Sequence, residues 1–335
     1  MTPTSRVIAR VPATADVKAL VTGAGGFAGQ WLCRELVRQG WAVTGTSLTG
    51  DPGPGILAPE DHALVGWRCE DLRADGTAAA ALDASEPEAI FHLAGVSFVP
   101  AAFDDPLAAL DTNVGAAVRL LGEVRRRRAA GAIDPVVLIV GSAEQYGRHS
   151  ADAMPLVESS DCRPRTAYAA TKMAQEVFAL EAFRAEGVHI VCTRSFNHSG
   201  RGQAAHFLLP ALVRRAVSAK AAGEGRIVIG NTDTTRDFTH VEDVVRAYRM
   251  LAESALDGEI YNVCSGDGVT VGQVAGEVLR ALGLDASLEF DAALQRAVDV
   301  PWLVGSNDKL RSDTGWAPSR TRADIISDLI HAASH

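Results

Sequence analysis

A tyrosine and a lysine lie four residues apart, at Tyr168 and Lys172, in a segment predicted to be helical. In a helix this spacing puts both side chains on one face, so the phenol and the ammonium group would lie close together. A phenol has an ordinary pKa of about 10, and a neighbouring cation lowers this pKa because it stabilises the phenolate. We therefore predict that the pair transfers a proton to or from a hydroxyl or carbonyl oxygen near neutral pH.

Ser142 is a second candidate catalytic residue, because it follows an apolar segment at residues 135–140 that is typical of a buried parallel strand. Open α/β sheets bind ligands beyond the carboxyl ends of their strands, so we expect the Ser142 hydroxyl to hydrogen-bond the reacting oxygen. Glu144, two residues later, is a further candidate. The two residues also fit a helix N-cap followed by an acidic residue in the first turn, and this alternative stays open.

A glycine-rich turn lies near the start of the chain, with the sequence Thr-Gly-Ala-Gly-Gly-Phe-Ala-Gly at residues 22–29. It follows a predicted strand and opens a predicted helix, where free backbone N–H groups bind a pyrophosphate. A tight turn without a ligand is the alternative. We predict a dinucleotide site, and its candidate residues are Gly23, Gly26, Phe27, Gly29, Ser47, Asp71, Leu72, Leu93, Ala94, Tyr168 and Lys172.

The end of the second predicted strand bears on the choice of cofactor. Residues 45–47 are Gly-Thr-Ser, and no acidic residue occurs between Glu35 and Asp51 to bind the ribose hydroxyls of NAD. Small hydroxyl side chains leave room for a 2′-phosphate, so we predict NADP(H), with NAD(H) as the alternative. Arginine is not close in sequence, since Arg38 precedes the strand and Arg68 lies well after it.

Predicted strands and helices alternate from residue 17 to residue 195, which is the pattern of a Rossmann-type, doubly wound α/β fold with a parallel sheet. We expect residues 17–195 to form a dinucleotide-binding domain that residues 236–264 rejoin. Residues 196–235 and 265–335 would then form a smaller α/β substrate domain. Two long helices are predicted, at about 106–128 and 166–186.

Composition excludes several classes of protein. The net charge of −9 argues against a nucleic-acid partner, because a phosphate backbone attracts basic surfaces. The five cysteines are scattered without metal-ligand spacing, so we predict no metal site and buried, reduced thiols in a cytoplasmic protein. No apolar run approaches the length of a membrane span, and the first sixteen residues lack the apolar core of a signal peptide.

Together, the glycine turn, Ser142 and the Tyr-Ala-Ala-Thr-Lys segment at 168–172 resemble the extended short-chain dehydrogenases, from about residue 18 to residue 330. This family comprises sugar-nucleotide epimerases, dehydratases and reductases. The resemblance implies a catalytic triad of Ser142, Tyr168 and Lys172. It also makes Asn113 a candidate for the family's structural and cofactor-orienting asparagine, although an ordinary helix residue is the alternative.

Four segments are similar to the GDP-mannose branch of this family: residues 141–147, 196–203, 236–243 and 299–309. The last is similar to GDP-6-deoxy-4-keto-mannose reductases. This resemblance implies NAD(P)H-dependent reduction of the C4 ketone of GDP-4-keto-6-deoxy-D-mannose to GDP-D-rhamnose. Arg201 departs from the branch, where proline is usual, and leaves the local loop shape open.

The substrate diphosphate requires cations, and arginine matches phosphate oxygens well. Arg236 and Arg296 are therefore candidate substrate-binding residues, with Asn197 on a diphosphate or sugar oxygen. For each arginine, an ion pair with a surface carboxylate is the alternative.

Three other functions stay open. Glu144 matches the position of the base of a GDP-mannose 4,6-dehydratase, and a nucleotide-sugar 4-epimerase needs the same triad. A non-catalytic nucleotide-binding protein is the third, although such relatives typically lose the tyrosine or the lysine. The family commonly dimerises through two long helices from each subunit, so we expect a homodimer held by a four-helix bundle. Leu107, Leu110, Val114, Val118 and Leu121 would lie on the first of these helices, where packing against the chain's own sheet is the alternative for some.

Overall fold

The computed structural model describes residues 16–294 and 300–334. In this part of the chain, seven parallel strands form one sheet in the order β3-β2-β1-β4-β5-β6-β10. The strands are β1 (Lys18–Thr22), β2 (Ala42–Ser47), β3 (Val65–Cys69), β4 (Ala89–His92), β5 (Val136–Ser142), β6 (Ile190–Ser195) and β10 (Glu259–Val263). The order reverses between β1 and β4, and ligands bind at such a switch point in open α/β sheets.

Helices cover both faces of this sheet, as the doubly wound prediction requires. One face packs against α1 (Phe27–Arg38) and α9 (Val241–Ser254), and the other against α3 (Thr77–Ser85), α6 (Ala116–Ala129) and α7 (Ala167–Glu186). The central strands β4 and β5 are almost entirely buried, because helices cover both of their faces. Three short helices lie in the connections, namely α2 (Pro59–His62), α4 (Val99–Asp104) and α5 (Pro106–Leu110).

A smaller α/β lobe completes the described chain. Its sheet contains β7 (Asn197–Ser199), β9 (Thr235–His240), β11 (Gly268–Thr270) and β13 (Trp302–Leu303), and a parallel pair contains β8 (Arg226–Ile229) and β12 (Ser287–Phe290). A separate apolar cluster lies among α8 (Leu208–Ala222), α10 (Val271–Leu282) and α12 (Arg322–Ala333). Helix α11 (Asp308–Thr314) packs beneath α9 and brings Trp316 into the core of the large sheet.

Two elements differ from the sequence pattern. The predicted helix at 106–128 contains a π-helical turn at Asp111–Gly115 between α5 and α6. The apolar pattern also does not indicate β9, because Phe238 is its one apolar residue, although all six of its residues are buried. Of residues 236–264, β10 pairs with β6 in the large sheet, whereas β9 belongs to the smaller one.

The cysteines differ in part from the expectation of buried thiols. All five are free; Cys33, Cys192 and Cys264 are buried, but Cys162 is half-buried and Cys69 is exposed on the edge strand β3. Across residues 16–294 and 300–334, no group of three or more His, Cys, Asp or Glu side chains has the arrangement of a metal site. None of the described helices combines the length and the apolar character needed to cross a bilayer.

Candidate active site

A cavity of about 700 Å³ opens at the carboxyl edge of the large sheet, on both sides of the switch point. Its size is in the range of sites for small molecules and cofactors. Strands β1 to β6 each end at or beside it, and the start of α8 closes it from the smaller lobe. The predicted residues that line it are Gly23, Gly26, Phe27, Gly29, Ser47, Asp71, Leu72, Leu93, Ala94, Ser142, Glu144, Tyr168, Lys172 and Asn197.

The glycine turn forms one wall of the cavity from backbone alone. Gly23 has a φ of +71°, a left-handed conformation that favours glycine, and a Cβ there would lie 2.7 Å from the backbone nitrogen of Ala94. Gly26 caps α1, so the first-turn N–H groups of this helix lack intrahelical partners. A backbone cradle at a helix N-terminus, without intervening side chains, fits a dinucleotide pyrophosphate.

Ser142 lies at the end of β5, where it caps the following turn and also lines the cavity. Its hydroxyl oxygen accepts a hydrogen bond from the backbone N–H of Glu144 at 3.2 Å, which caps a 3₁₀ turn at Ala143–Tyr146. A hydroxyl has one proton and two acceptor sites, so the proton stays available. The Ser142 hydroxyl also lowers the pKa of the neighbouring Tyr168 phenol. The capping and catalytic interpretations are therefore compatible.

Tyr168 lies in the first turn of α7, which begins where the Thr166 hydroxyl accepts the N–H of Ala169 at 3.1 Å. The expectation that a neighbouring cation lowers the pKa of Tyr168 is wrong for this structure. Burial raises that pKa to about 12, the hydrogen bond from Ser142 lowers it, and the nearby Glu144 carboxylate raises it. Burial dominates because a phenolate without water is costly. The group is thus a neutral phenol at physiological pH, which is a proton donor.

Lys172 lies on the same helix face, but its ammonium group binds elsewhere. Its Nζ donates to the carbonyl oxygen of Val140 at 2.9 Å and to Oε1 of Gln175 at 3.0 Å. Burial lowers the Lys172 pKa to about 8. These contacts hold the ammonium group beside the cavity at the end of β5.

An ion pair that the sequence analysis missed lies at the β2–β3 end of the cavity. Asp71 and Arg73 both line it, and the Arg73 guanidinium binds the Asp71 carboxylate at 2.7 and 2.9 Å. These hydrogen bonds hold the Asp71 pKa at about 2. The sequence analysis considered only the arginines on either side of β2. Neighbouring parallel strands end side by side, so an arginine just after β3, such as Arg73, should also have been considered.

His198 is a second residue that sequence reasoning missed. It lines the cavity, stacks on Phe27 with ring centroids 6.2 Å apart, and donates from Nδ1 to the carbonyl oxygen of Phe196 at 3.0 Å. Burial lowers its pKa, so the ring is neutral. With the proton on Nδ1, Nε2 is an acceptor. The sequence analysis selected Asn197 in the segment at 196–203, and His198, which follows it directly, could have been selected from the same segment.

Three predicted residues are not placed in the cavity wall. Asn113 is fully buried behind it, where its Oδ1 accepts the N–H of Val96 at 2.7 Å and its Nδ2 donates to Thr171 at 2.8 Å. It therefore ties the loop after β4 to α7. Arg236 is buried in β9, and its guanidinium donates to the carbonyl oxygen of Thr235. Arg296 lies outside the described residues.

Replacing Gly23 by alanine is expected to weaken dinucleotide binding roughly tenfold or more. The free protein would relieve about 1–3 kcal/mol of backbone strain by moving the turn, and binding would have to restore it. Fluorescence titration with NADPH measures this effect. Gly122→Ala is the control, because that Cβ meets nothing within 4 Å on α6. Equal affinity of the two variants would contradict the backbone cradle.

Comparison with known proteins gives a consistent picture. The family model described as GDP-mannose 4,6 dehydratase matches residues 20–329. GDP-6-deoxy-D-mannose reductase of Pseudomonas aeruginosa is 32% identical over 236 residues, which are 70% of this chain and 76% of that protein. GDP-mannose 4,6 dehydratase 2 of Arabidopsis thaliana is 25% identical over 310 residues, 90% of this chain and 82% of that protein.

A solved structure described as RMD from Pseudomonas aeruginosa complexed with NADPH superposes with a TM-score of 0.79 at 27% identity, and covers 96% of this chain and 99% of that one. The predicted fold class and the resemblance stated from the motifs are therefore confirmed. This chain belongs to the GDP-mannose 4,6-dehydratase family of the extended short-chain dehydrogenases, and is an NAD(P)-dependent oxidoreductase of nucleotide sugars.

Proposed function

We propose that this enzyme reduces the C4 ketone of GDP-4-keto-6-deoxy-D-mannose to give GDP-D-rhamnose, with NADPH as the preferred reductant. The observation that carries the proposal is the buried phenol of Tyr168, which lines the cavity together with Ser142 and Lys172. Reduction of a ketone consumes a proton at the carbonyl oxygen, and a neutral phenol supplies it. The 32% identity to a GDP-6-deoxy-D-mannose reductase supports this substrate.

Each residue of the triad has a distinct task in this reaction. When bound, the reduced nicotinamide supplies the hydride. Ser142 donates a hydrogen bond to the ketone oxygen and polarises it. Tyr168 transfers its proton to the oxygen as negative charge develops there. The Lys172 ammonium, which donates to Val140 and Gln175 beside the cavity, would bind the ribose of the nicotinamide cofactor.

The β2–β3 end of the cavity favours NADP(H), and NAD(H) is the alternative cofactor. Thr46 and Ser47, at the end of β2, are not acids that would bind ribose hydroxyls. The Asp71 carboxylate is already bound by Arg73, and the Arg73 guanidinium keeps donors for a 2′-phosphate. We assign this end to the adenosine part of the cofactor.

A GDP-mannose 4,6-dehydratase is the second candidate, because Glu144 lines the cavity close enough to Tyr168 to raise its pKa. A dehydratase requires such a carboxylate to remove a proton from the sugar. The family model that matches the chain also has this description. The 32% identity to a GDP-6-deoxy-D-mannose reductase favours the reductase over the dehydratase, to which the identity is 25%.

Two substrates distinguish these reactions. With GDP-4-keto-6-deoxy-D-mannose as the substrate, the absorbance of NADPH should fall as it is oxidised, and NADH should be oxidised more slowly. GDP-mannose should give no ketone in the absence of reductant. Tyr168→Phe should lower turnover by about 10²–10⁴ while NADPH still binds, because only the proton donor is lost. Ketone formation from GDP-mannose would establish the dehydratase instead. Conversion of a UDP-sugar to its 4-epimer would favour an epimerase. Absence of turnover with all of these nucleotide sugars would favour a non-catalytic protein.

The rate of reduction should fall as pH rises through about 8. Below that pH Lys172 is a cation, and above it the buried amine is neutral and should bind the cofactor ribose less strongly. Tyr168, with a pKa of about 12, stays protonated over this range. A profile of kcat/KM from pH 6 to 10 measures the effect. Lys172→Arg keeps the positive charge at high pH, so its kcat/KM should be lower overall but should no longer fall near pH 8. A fall near pH 8 in this variant would contradict the assignment of that pKa to Lys172.

We also propose that the chain forms a homodimer through the helices flanking the cavity. Large apolar side chains are exposed on α4, α5, α6 and α7, which pack against one another: Phe103, Leu107, Leu110, Val118, Val177 and Phe178. Of the five residues expected on the first helix, Val114 and Leu121 are instead buried in the chain's own core. Exposed apolar side chains gathered on adjacent helices are typical of an interface.

Light scattering at micromolar concentration should give the mass of a dimer, and Leu107→Asp should give a monomer, because a carboxylate would be buried without a partner. Leu64→Asp is the control, since Leu64 is equally exposed but lies beside β3, away from these helices. A monomeric wild-type protein would refute the proposal.

A further inference from the structure

A row of buried polar side chains lies behind the catalytic serine and contacts neither the glycine turn nor the cavity. It contains Gln145, Glu176 and Arg194, each less than one-tenth exposed. Gln145 follows β5, Glu176 lies on α7 four residues after Lys172, and Arg194 lies on β6. The row thus joins the three elements that carry or flank the catalytic groups.

The first contact of the row is with the backbone of Ser142. The N–H of Ser142 donates to Oε1 of Gln145 at 2.9 Å, and Nε2 of Gln145 donates to Glu176 Oε2 at 2.9 Å. This assignment of the amide atoms follows from chemistry, because a carboxylate only accepts and the backbone N–H only donates. The Glu176 carboxylate therefore fixes which end of the Gln145 amide faces Ser142.

The carboxylate is itself held in place. Arg194 binds both oxygens of Glu176, at 2.7 and 2.9 Å, and donates to the carbonyl oxygen of Glu158 at 3.0 Å. The guanidinium also lies 4.8 Å from the ring centroid of Tyr146. A buried, bidentate pair with further hydrogen bonds has little freedom to rotate. Arg194 and Glu176 are consequently a fixed support for Gln145.

Space for Gln145 depends on the residue before the serine. A Cβ on Gly141 would lie 2.3 Å from the carbonyl oxygen of Thr193 and 2.6 Å from Oε1 of Gln145, so glycine is required both by the neighbouring strand β6 and by the Gln145 amide. Gln145 thus binds the backbone of Ser142, the residue whose hydroxyl lowers the pKa of the Tyr168 phenol. Movement of the Ser142 backbone would displace that hydroxyl.

We propose that Gln145 is a positioning residue, which holds the Ser142 backbone so that the hydroxyl points at the reacting oxygen. Gln145 does not line the cavity, and it acts only through Ser142. The assay for this inference rests on the proposed function. The same positioning role would apply to any reaction in which Ser142 binds the substrate oxygen. A capping contact that merely stabilises the 3₁₀ turn is the competing explanation.

A double-mutant cycle separates the two explanations. Gln145→Met has a similar length but removes both hydrogen bonds, and should lower kcat by about 10- to 100-fold with KM and NADPH affinity within about twofold. In a Ser142→Ala background, where Tyr168 still gives a residual rate, Gln145→Met should change kcat by less than about twofold. The proposal would be overturned if Gln145→Met lowered kcat by the same factor in the wild-type and Ser142→Ala backgrounds, or if it did not lower kcat in the wild-type background.

A matched control exists on α10. Gln273 accepts the N–H of Thr270 at 2.9 Å in a capping box of the same form, far from the cavity. Gln273→Met should lower Tm by about 2–4 °C, as a lost cap does, with kcat unchanged. If Gln145→Met does not fold, Gln145→Asn, which keeps the amide but is one methylene shorter, should give the same cycle.

Failure of the proposed function is distinguishable from failure of this inference. If the wild-type enzyme does not reduce the keto sugar, the cycle is measured on whichever nucleotide sugar it converts. A crystal structure of Gln145→Met tests the geometry without any turnover. Displacement of the Ser142 hydroxyl from Tyr168 in that structure supports the proposal, and an unmoved hydroxyl overturns it.

Discussion

Exclusion of water from the Tyr168 phenol is the constraint on which the site depends. The ring packs against Ala102 and Ala109, and this burial raises its pKa to about 12. A phenolate in such surroundings is unstable until compensating charge appears. The proton therefore stays on the ring at neutral pH and leaves only when an adjacent oxygen gains negative charge. Desolvation thus opposes ionisation of the phenol in the resting protein.

The position of that ring is set by the register of α7 against the sheet. Tyr168, Lys172 and Glu176 recur every four residues, so one face of the helix carries all three. Lys172 is bound to the end of β5 through the carbonyl of Val140, and Glu176 is bound to β6 through Arg194. A shift of α7 by one residue would break both contacts. The helix face that carries the proposed catalytic residues therefore also fixes the placement of the helix.

The sequence was sufficient to predict what depends on local pattern. Alternating apolar segments, a glycine turn at the first strand–helix junction and a tyrosine–lysine spacing are each contained in a short stretch of chain, and they predict the parallel sheet and the cavity wall. The pKa of Tyr168 was predicted with the wrong sign because burial is a property of the whole fold. The spacing placed Lys172 near the phenol, but the carbonyl of Val140, which binds its ammonium group, is distant in sequence.

Long-range neighbours explain the other differences as well. The resemblance makes Asn113 a structural and cofactor-orienting residue, but its partners Val96 and Thr171 are distant in sequence and only the fold identifies them. Arg73 was missed because it follows β3, and only the pairing of β2 with β3 brings it beside Ser47.

The distribution of charge around the cavity connects the fold to what it binds. Among the described residues of the cavity wall, Arg73 and Lys172 are the cations, and they lie at opposite ends: Arg73 beyond β3, and Lys172 beside the end of β5. Between them stands the glycine turn, where the first-turn N–H groups of α1 are the positive element. A dinucleotide pyrophosphate in this middle section must then be bound by backbone dipoles rather than by a side-chain cation. Backbone donors act only at short range, which is the physical reason that close approach, and therefore glycine, is required at this turn.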